Sequence, residues 1–520
     1  MTITSTIFRP DENRPPCPHA ALAALTLCTL LVHGYHPLAE DGGLYVAGVQ
    51  SILDPTLFPH DLPFAIATRH YSFFAPLMAQ TVRSFHIPLP WLIFIANLAG
   101  TWLLLYAAWR IAAQCFRNQP AQLCAAALVA AWFTLPIAGT SLLLMDPYVT
   151  ARTLSTPLSL LAIAFALDFQ RNSAKRVRPL AISILCIVAA AAFHPLMAAY
   201  AAAFITTLLI AKLSLRRSRT LGWAILAVLA IAIAGLLQAT APVESTPVVA
   251  AAFSRYYWFL SQWQWFEWAG LIGPLIVLAL LLRFSPKHSS EPKSDLCRAA
   301  IALGLIATLV SLLFAHEAYT NHLVARLQPL RAFLLIYAVM TILLGGTLAE
   351  AFISRSRRWL AAVPPLALAT MAGIMFTAQR QTFVASQHLE LPWRAPANPW
   401  SQAFLWARDN TPTDALFALD ANYITTPGED GQTFRATAQR SVLPDFSKDG
   451  GAAAVRPSLA TAWFAGQLAQ TGLSAMNPQD RARRLQPLAV TWLILHADAK
   501  TDGVCPYANA VVKVCPLVLR

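Results

Sequence analysis

From residue 19 to residue 378, apolar runs alternate with short polar connections. A helix crossing the hydrocarbon core needs about 20 mostly apolar residues. Eleven stretches approach that requirement, near 19–36, 89–112, 119–138, 155–169, 179–193, 196–212, 220–238, 267–283, 298–315, 329–350 and 358–378. The fourth and fifth are short, and His194-Pro195 barely separates the fifth from the sixth. After about Arg380 the pattern changes to ordinary polarity, with turn signals such as "PGEDGQ" and "SKDGG" and a helix start at "NPQDRARRL". In this tail "LAVTWLILHAD" and "AVVKVCPLVLR" predict buried strands. The expected fold is an α-helical polytopic membrane protein of about eleven transmembrane helices with a small C-terminal α/β domain. Its expected divisions are an N-terminal segment 1–18, a transmembrane domain 19–379 with a large first loop 37–88, and the tail 380–520.

Composition fits this pattern. Hydrophobic residues make up 57% of the 520 and charged residues 12%, against about 25% charged in a soluble domain. The net charge of +13 does not point to nucleic acid, because the sequence has no basic aromatic stripe and no reader motif. The Lys and Arg side chains instead cluster between apolar runs, which is how membrane topology is set. With a cytoplasmic N-terminus, the even-numbered loops should be basic. They hold Arg171, Lys175, Arg176 and Arg178; then Lys212, Arg216, Arg217 and Arg219; then Arg283, Lys287, Lys293 and Arg298; then Arg355, Arg357 and Arg358. Arg9 and Arg14 precede the first apolar run like a signal sequence, but no small-residue cleavage site follows, so it is read as an uncleaved first span. The tail is then extracytoplasmic too.

Five outward segments hold most of the remaining polar chemistry. The first, "HPLAEDGGLYVAGVQSILDPTLFPHD", places Glu40 and Asp41 just past span one, among His36, Tyr45, His60, Asp61 and, further on, Arg69 and His70. A carboxylate at the water–lipid boundary under a protein roof can carry a raised pKa and accept a proton; marking a helix end in the headgroup region is the alternative. The glycines after Asp41 permit close backbone approach. The rest of this loop, through "RHYSFFAPLMAQTVRSFH", suggests a helix lying in the interface. "MDPYVTARTLS" supplies Asp146 and Arg152, and "HPLM" supplies His194. "RYYWFLSQWQWFEW" has the composition of an aromatic belt. "HEAYTNHLVARLQPLRAF" carries His316, Glu317, Arg326 and Arg331, the arginines five residues apart with Pro329 between them to bend the geometry. Arginines outside run against the positive-inside bias. Either phosphate, which a guanidinium fork matches, or an ion pair with Glu317 would account for them.

These features resemble the GT-C class of membrane glycosyltransferases, which take a sugar from a polyprenyl-phosphate carrier. The resemblance rests on "HPLAED" after span one, the long first outer loop with its interfacial helix, the span count, and the outer C-terminal domain. More narrowly, "EDGGLYVAG", "HPLM", "LQPLRAF" and "WARDNTPTDALFALD" are similar to segments of bacterial membrane proteins related to that class. The resemblance implies a plasma-membrane protein whose Asp41 and Glu40 are the catalytic acids, one as base or acceptor orienter. It also implies basic residues such as Arg326 or Arg331 on the carrier phosphate. The remaining substrate-binding candidates are His36, Tyr45, His60, Asp61, Arg69, Asp146, Arg152, His194, His316 and Glu317. The second outer loop offers only Asp146 where the class pattern has a clear Asp–Glu motif. A divalent metal therefore has no clear motif, and no cofactor is assigned.

Two other readings stand beside a transferase. A transporter or lipid flippase would need ionisable groups at the membrane midplane and broken helices in repeated positions, whereas the acids here gather at one face. A GT-C-like scaffold without activity is the other. The sugar and the acceptor, whether glycan, lipid or protein, are not specified by the sequence. Of the eight cysteines, Cys17, Cys28, Cys115, Cys124, Cys186 and Cys297 lie in or beside apolar helices and read as small hydrophobes. Cys505 and Cys515 flank a hairpin candidate, "PYANAVVKV", where an oxidising exterior permits a disulfide; two free thiols are the alternative.

Overall fold

A computed structural model describes residues 18–517 apart from 133–136, 138–139, 172–176, 214–215, 285–289 and 354–357. Arg9, Arg14, Lys175, Arg176, Lys287, Arg355 and Arg357 of the charge pattern lie outside the described residues.

Each of the eleven apolar stretches contains a helix. In chain order, with the first-loop helices included, they are α1 (His19–His33), α2 (Glu40–Leu53), α3 (Phe74–Phe85), α4 (Leu89–Cys115), α5 (Gln119–Ala131), α6 (Ala151–Arg171), α7 (Val177–Phe193), α8 (Pro195–Ala211), α9 (Arg216–Thr240), α10 (Trp265–Arg283), α11 (Glu291–Phe314), α12 (Phe333–Ile353) and α13 (Val363–Thr382). Among the described residues, seven helices are long and apolar enough to cross a membrane; α1, α5, α7 and α8 are shorter apolar helices. Proline chemistry separates α7 from α8. The residue before a proline is pushed out of the helical region, and His194 sits at φ −150°, ψ 91° while Pro195 opens the next helix.

The helices bury unequal shares of their apolar surface. Of the most apolar window of the span Leu323–Phe352, which holds most of α12, 78% is buried; for the span Arg217–Thr240 in α9 the figure is 6%. Leu221, Ile225, Val228, Ile233 and Leu236 of α9 all stand exposed. A helix apolar all round and bare on most sides is stable only in an apolar solvent. Multiple such helices make this a multi-pass membrane protein. The shared core runs through α4, α5, α6, α11 and α12, with Leu105, Ala108, Ile111, Leu160, Phe333 and Ile336 fully enclosed.

The tail adds α14 (Pro399–Asn410), β1 (Leu416–Ala418), β2 (Ser441–Val442), α15 (Lys448–Val455), α16 (Ala460–Gln470), β3 (Trp492–His496), β4 (Tyr507–Ala508) and β5 (Val512–Pro516). They form one mixed sheet of order β2-β1-β3-β5-β4, parallel from β2 to β3 and antiparallel from β3 to β4. Both strands expected in the sequence are present as β3 and β5. Trp400 and Phe404 of α14 enter the tail core beside Phe417 and Phe434, while Trp406 is partly buried and stacks on Tyr507. Cys505 and Cys515 form a disulfide next to the β4–β5 hairpin.

The tail is fastened to the first loop by backbone pairing. Glu40 N donates to Gly431 O at 2.7 Å, Thr433 N donates to Leu38 O at 3.2 Å, and Ala39 bridges Gln432. This seam is where the "GG" is used, because a Cβ on Gly43 would lie 2.2 Å from the Thr433 Cβ. Only glycine allows so close a backbone approach.

Candidate active site

At the tail-side end of the helical bundle, α2 opens with the two acids in its first turn. Glu40 has φ +53°, a left-handed conformation rarely adopted by a residue with a Cβ. Such a residue persists only where its surroundings over-determine it, and such residues cluster at functional sites. Here the seam with Gly431 and Thr433 holds Glu40 on both sides: its N–H donates to Gly431 O, and its carbonyl accepts from Thr433 Oγ1 at 3.2 Å.

Arg152, at the start of α6, links the acids. Its Nη1 donates to Asp41 Oδ2 at 3.1 Å and its Nη2 to Asp146 Oδ2 at 3.2 Å. Lys448 of α15 reaches down from the tail to the other Asp41 oxygen, Oδ1, at 3.3 Å, and also contacts the Glu40 carboxylate. The two aspartates therefore sit in opposite environments. For Asp41, enclosure by protein favours the neutral form, but Lys448 and Arg152 outweigh it and hold the carboxyl well below the usual range. For Asp146, burial dominates and the Asp41 charge adds to it, so its pKa is raised despite Arg152. Divergent environments of this kind assign different roles to paired acids. Asp146 Oδ1 and Arg152 Nε are buried without hydrogen-bond partners. Both residues line a crevice between α1, α4 and α6, together with Thr29, Asn97 and Thr156.

Three further groups surround the pair. Burial drives the Tyr45 phenol up to about 12. Burial lowers His194 to about 3, and the charges of Arg152 and Arg331 add to that effect, so its imidazole is neutral. Arg331 is close enough to lower the Asp41 pKa as well. It lies in the turn Pro329–Ala332, which follows Gln328 at φ +52°. Tyr200 of α8 pins this turn by donating to Leu327 O at 2.5 Å and to Gln328 O at 2.8 Å. Among the described residues Arg331 has no ion-pair partner, and its Nε is buried without a hydrogen bond. It lines a shallow crevice with Tyr257, Trp258 and Ser311.

The structure thus brings together Glu40, Asp41, Tyr45, Asp146, Arg152, His194 and Arg331, and places the other candidates elsewhere. His36 is fully buried, paired to Glu390 at 3.3 Å and stacked on Phe383. His60 meets the carbonyl of Asp414, and Arg69 donates to Ser51 Oγ. Asp61 is buried under Arg435. His316 accepts from the Ala318 N–H, and Glu317 accepts from Ser261 Oγ at 2.7 Å. Arg326 is already engaged: Nη2 pairs with Glu244 at 2.7 Å and Nε donates to Ala454 O at 2.7 Å. Neither arginine pairs with Glu317. The single helical turn Leu323–Arg326 and the break at Gln328-Pro329 send the two in different directions. The sequence reading did not single out Lys448 and Tyr148; Lys448 stood only as part of the turn signal "SKDGG". Tyr148 is close enough to Asp146 to lower its pKa.

The Glu244–His322–Arg326 group lends itself to a pH test. Burial raises the Glu244 pKa, but hydrogen bonds from His322 and Arg326 outweigh it and bring the group from 4.5 down to about 2. A depressed carboxylate stabilises the fold above its unfolded pKa and loses that contribution as pH falls through the folded one. Glu244→Gln is expected to cost about 1.5–3 kcal/mol near neutrality, the range for charge-assisted hydrogen bonds. Thermal unfolding against pH should show the gap from the wild type closing between pH 4.5 and about 2.

No family model matches the chain, and no curated protein matches it. Among solved structures, the chain is similar to the archaeal oligosaccharyltransferase AglB from Archaeoglobus fulgidus in complex with an inhibitory peptide and a dolichol-phosphate. The TM-score is 0.48 at 13% identity, over 92% of this chain and 69% of that one. The apo form of the Archaeoglobus fulgidus oligosaccharyltransferase gives 0.47 at 12% identity, over 92% and 70%.

Proposed function

We propose that this chain is a membrane glycosyltransferase that moves a sugar from a polyprenyl-phosphate carrier to an acceptor at the extracytoplasmic face. One observation carries the reading: two aspartates with divergent pKa values share Arg152, beside an Arg331 that has no carboxylate of its own. The chemistry is displacement at the anomeric carbon, with the carrier phosphate leaving. Asp41, held ionised, orients the acceptor hydroxyl. Asp146, with its raised pKa, takes the proton. Arg331 meets the charge building on the phosphate. Arg326, spent on Glu244, keeps the last loop in place. Both reactants arrive at one membrane face, so the tail acts as a roof over the reaction.

The test compares lipid-linked sugars and extracytoplasmic glycans by mass spectrometry in intact, deleted and Asp41→Asn strains. Asparagine keeps an oxygen for Arg152 but not the charge, so the same sugar missing in the deletion strain should fall about ten- to a hundredfold, the cost of a misplaced reactant. A deletion phenotype that Asp41→Asn does not reproduce, with the variant present in the membrane, would overturn the assignment.

A further inference from the structure

Both oxygens of Asp41 are already met by cations, Oδ2 by Arg152 at 3.1 Å and Oδ1 by Lys448 at 3.3 Å, and the same ammonium touches Glu40. We propose that Lys448 is a built-in counter-cation for the Glu40–Asp41 pair, filling the position between the two carboxylates that a divalent ion would otherwise take. The inference does not depend on which group the protein transfers.

Three observations carry it. The first is charge balance. The carboxylates of Glu40, Asp41 and Asp146 face the cations of Arg152, Arg331 and Lys448. Glu429, near Glu40, has both carboxyl oxygens buried without a hydrogen-bond partner, and burial and the Glu40 charge push its pKa well above the ordinary carboxylate range. The second is fixation. The Lys448 side chain is 14% exposed, and its backbone N–H donates to Asp445 Oδ1 at 2.5 Å. Its neighbour Asp449 receives a two-pronged Arg435 at 2.8 and 2.9 Å. Gly450 allows α15 to lie against Trp463, where a Cβ would come within 3.1 Å of the indole nitrogen. A lysine on so firmly seated a helix is not a surface charge that found a partner by chance. The third is ligand count: no group of three or more His, Cys, Asp or Glu suited to a metal occurs among the described residues. An ammonium between two carboxylates repels an entering divalent cation. Removing it leaves adjacent hard oxygen donors with a net negative charge, the kind of site that Mn²⁺ or Mg²⁺ accepts.

The experiment uses the full chain in detergent, with MnCl2 as the probe. Free Mn²⁺ is followed by electron paramagnetic resonance and protein unfolding by intrinsic fluorescence. The wild type is expected to leave the Mn²⁺ signal and the unfolding temperature unchanged. Lys448→Met, or Lys448→Gln if the methionine variant does not fold, should bind Mn²⁺ at least about tenfold more tightly, equivalent to roughly 1.4 kcal/mol. Lys448→Arg should bind none, and adding Asp41→Asn to Lys448→Met should remove the gained binding. A merely structural lysine would lower the unfolding temperature without creating a Mn²⁺ site. Equal Mn²⁺ binding by wild type and variant would overturn the proposal, as would a folded Lys448→Met or Lys448→Gln protein that binds none. Neither result bears on the sugar-profile test, which reads a different property.

Discussion

Replacing Arg435 by methionine is expected to destabilise the protein by about 3–5 kcal/mol, the cost of leaving buried charge without its partner. Arg435 lies under 3% exposed side-chain surface between Asp61 of the first loop, 5% exposed, and Asp449 of α15, 1% exposed. Asp61 also accepts the Val442 N–H at 3.1 Å, so one guanidinium joins the first loop, the edge strand β2 and the helix that carries Lys448. Burial and Arg435 pull the Asp61 pKa in opposite directions, with burial the larger, so its charge depends on the arginine staying in place. Methionine fills a similar volume but leaves two aspartates to be neutralised by protonation. Detergent-solubilised Arg435→Met should unfold earlier in a thermal scan and be nicked sooner by protease near β2 and α15. Unchanged unfolding together with unchanged cleavage would show that the pair does not hold the tail in place.

This network marks where the sequence could be read and where it could not. Span positions follow from twenty-residue apolar runs, a local signal, and each expected run contains a helix. The β3 and β5 strands were legible for the same reason. The convergence of Asp41 with Asp146, Arg152 and His194 was partly legible, because alternate loops of a helical bundle share one end. Side-chain partners were not, because they are set by contacts between residues far apart in the chain. Arg435 meets Asp61 across 374 positions, and Lys448 meets Asp41 across 407. Arg326 looked equivalent to Arg331 in "VARLQPLRAF". The left-handed Gln328, the Glu244 carboxylate and the tail carbonyl of Ala454 distinguish them, and none of these has a signature in composition or spacing. His36 is the reverse case: it lies close to Glu40 in sequence, but its ring is stacked 3.8 Å from that of Phe383.

The two arginines therefore give the sharper functional test. Arg331→Ala is expected to lower sugar transfer by about 10²–10³, the usual cost of removing one preorganised donor to a developing oxyanion. Its stability change should stay below about 1 kcal/mol, because Arg331 forms no ion pair whose partner would be stranded. Arg326→Ala should do the opposite. It leaves Glu244, which is 8% exposed, with His322 as its remaining side-chain partner, and releases Ala454 O of α15; unfolding should come earlier, while transfer per folded molecule stays within a few-fold of wild type. Arg331→Lys separates charge from geometry: an ammonium keeps the charge but not the two-pronged fit to phosphate oxygens, so only part of the activity should return. The measurements are transfer per folded molecule, from the product glycan by mass spectrometry, and thermal unfolding of the same preparations. If Arg326→Ala abolishes transfer at unchanged stability while Arg331→Ala leaves it intact, the carrier phosphate is held by the other arginine, and Glu244 must then release Arg326 when substrate binds.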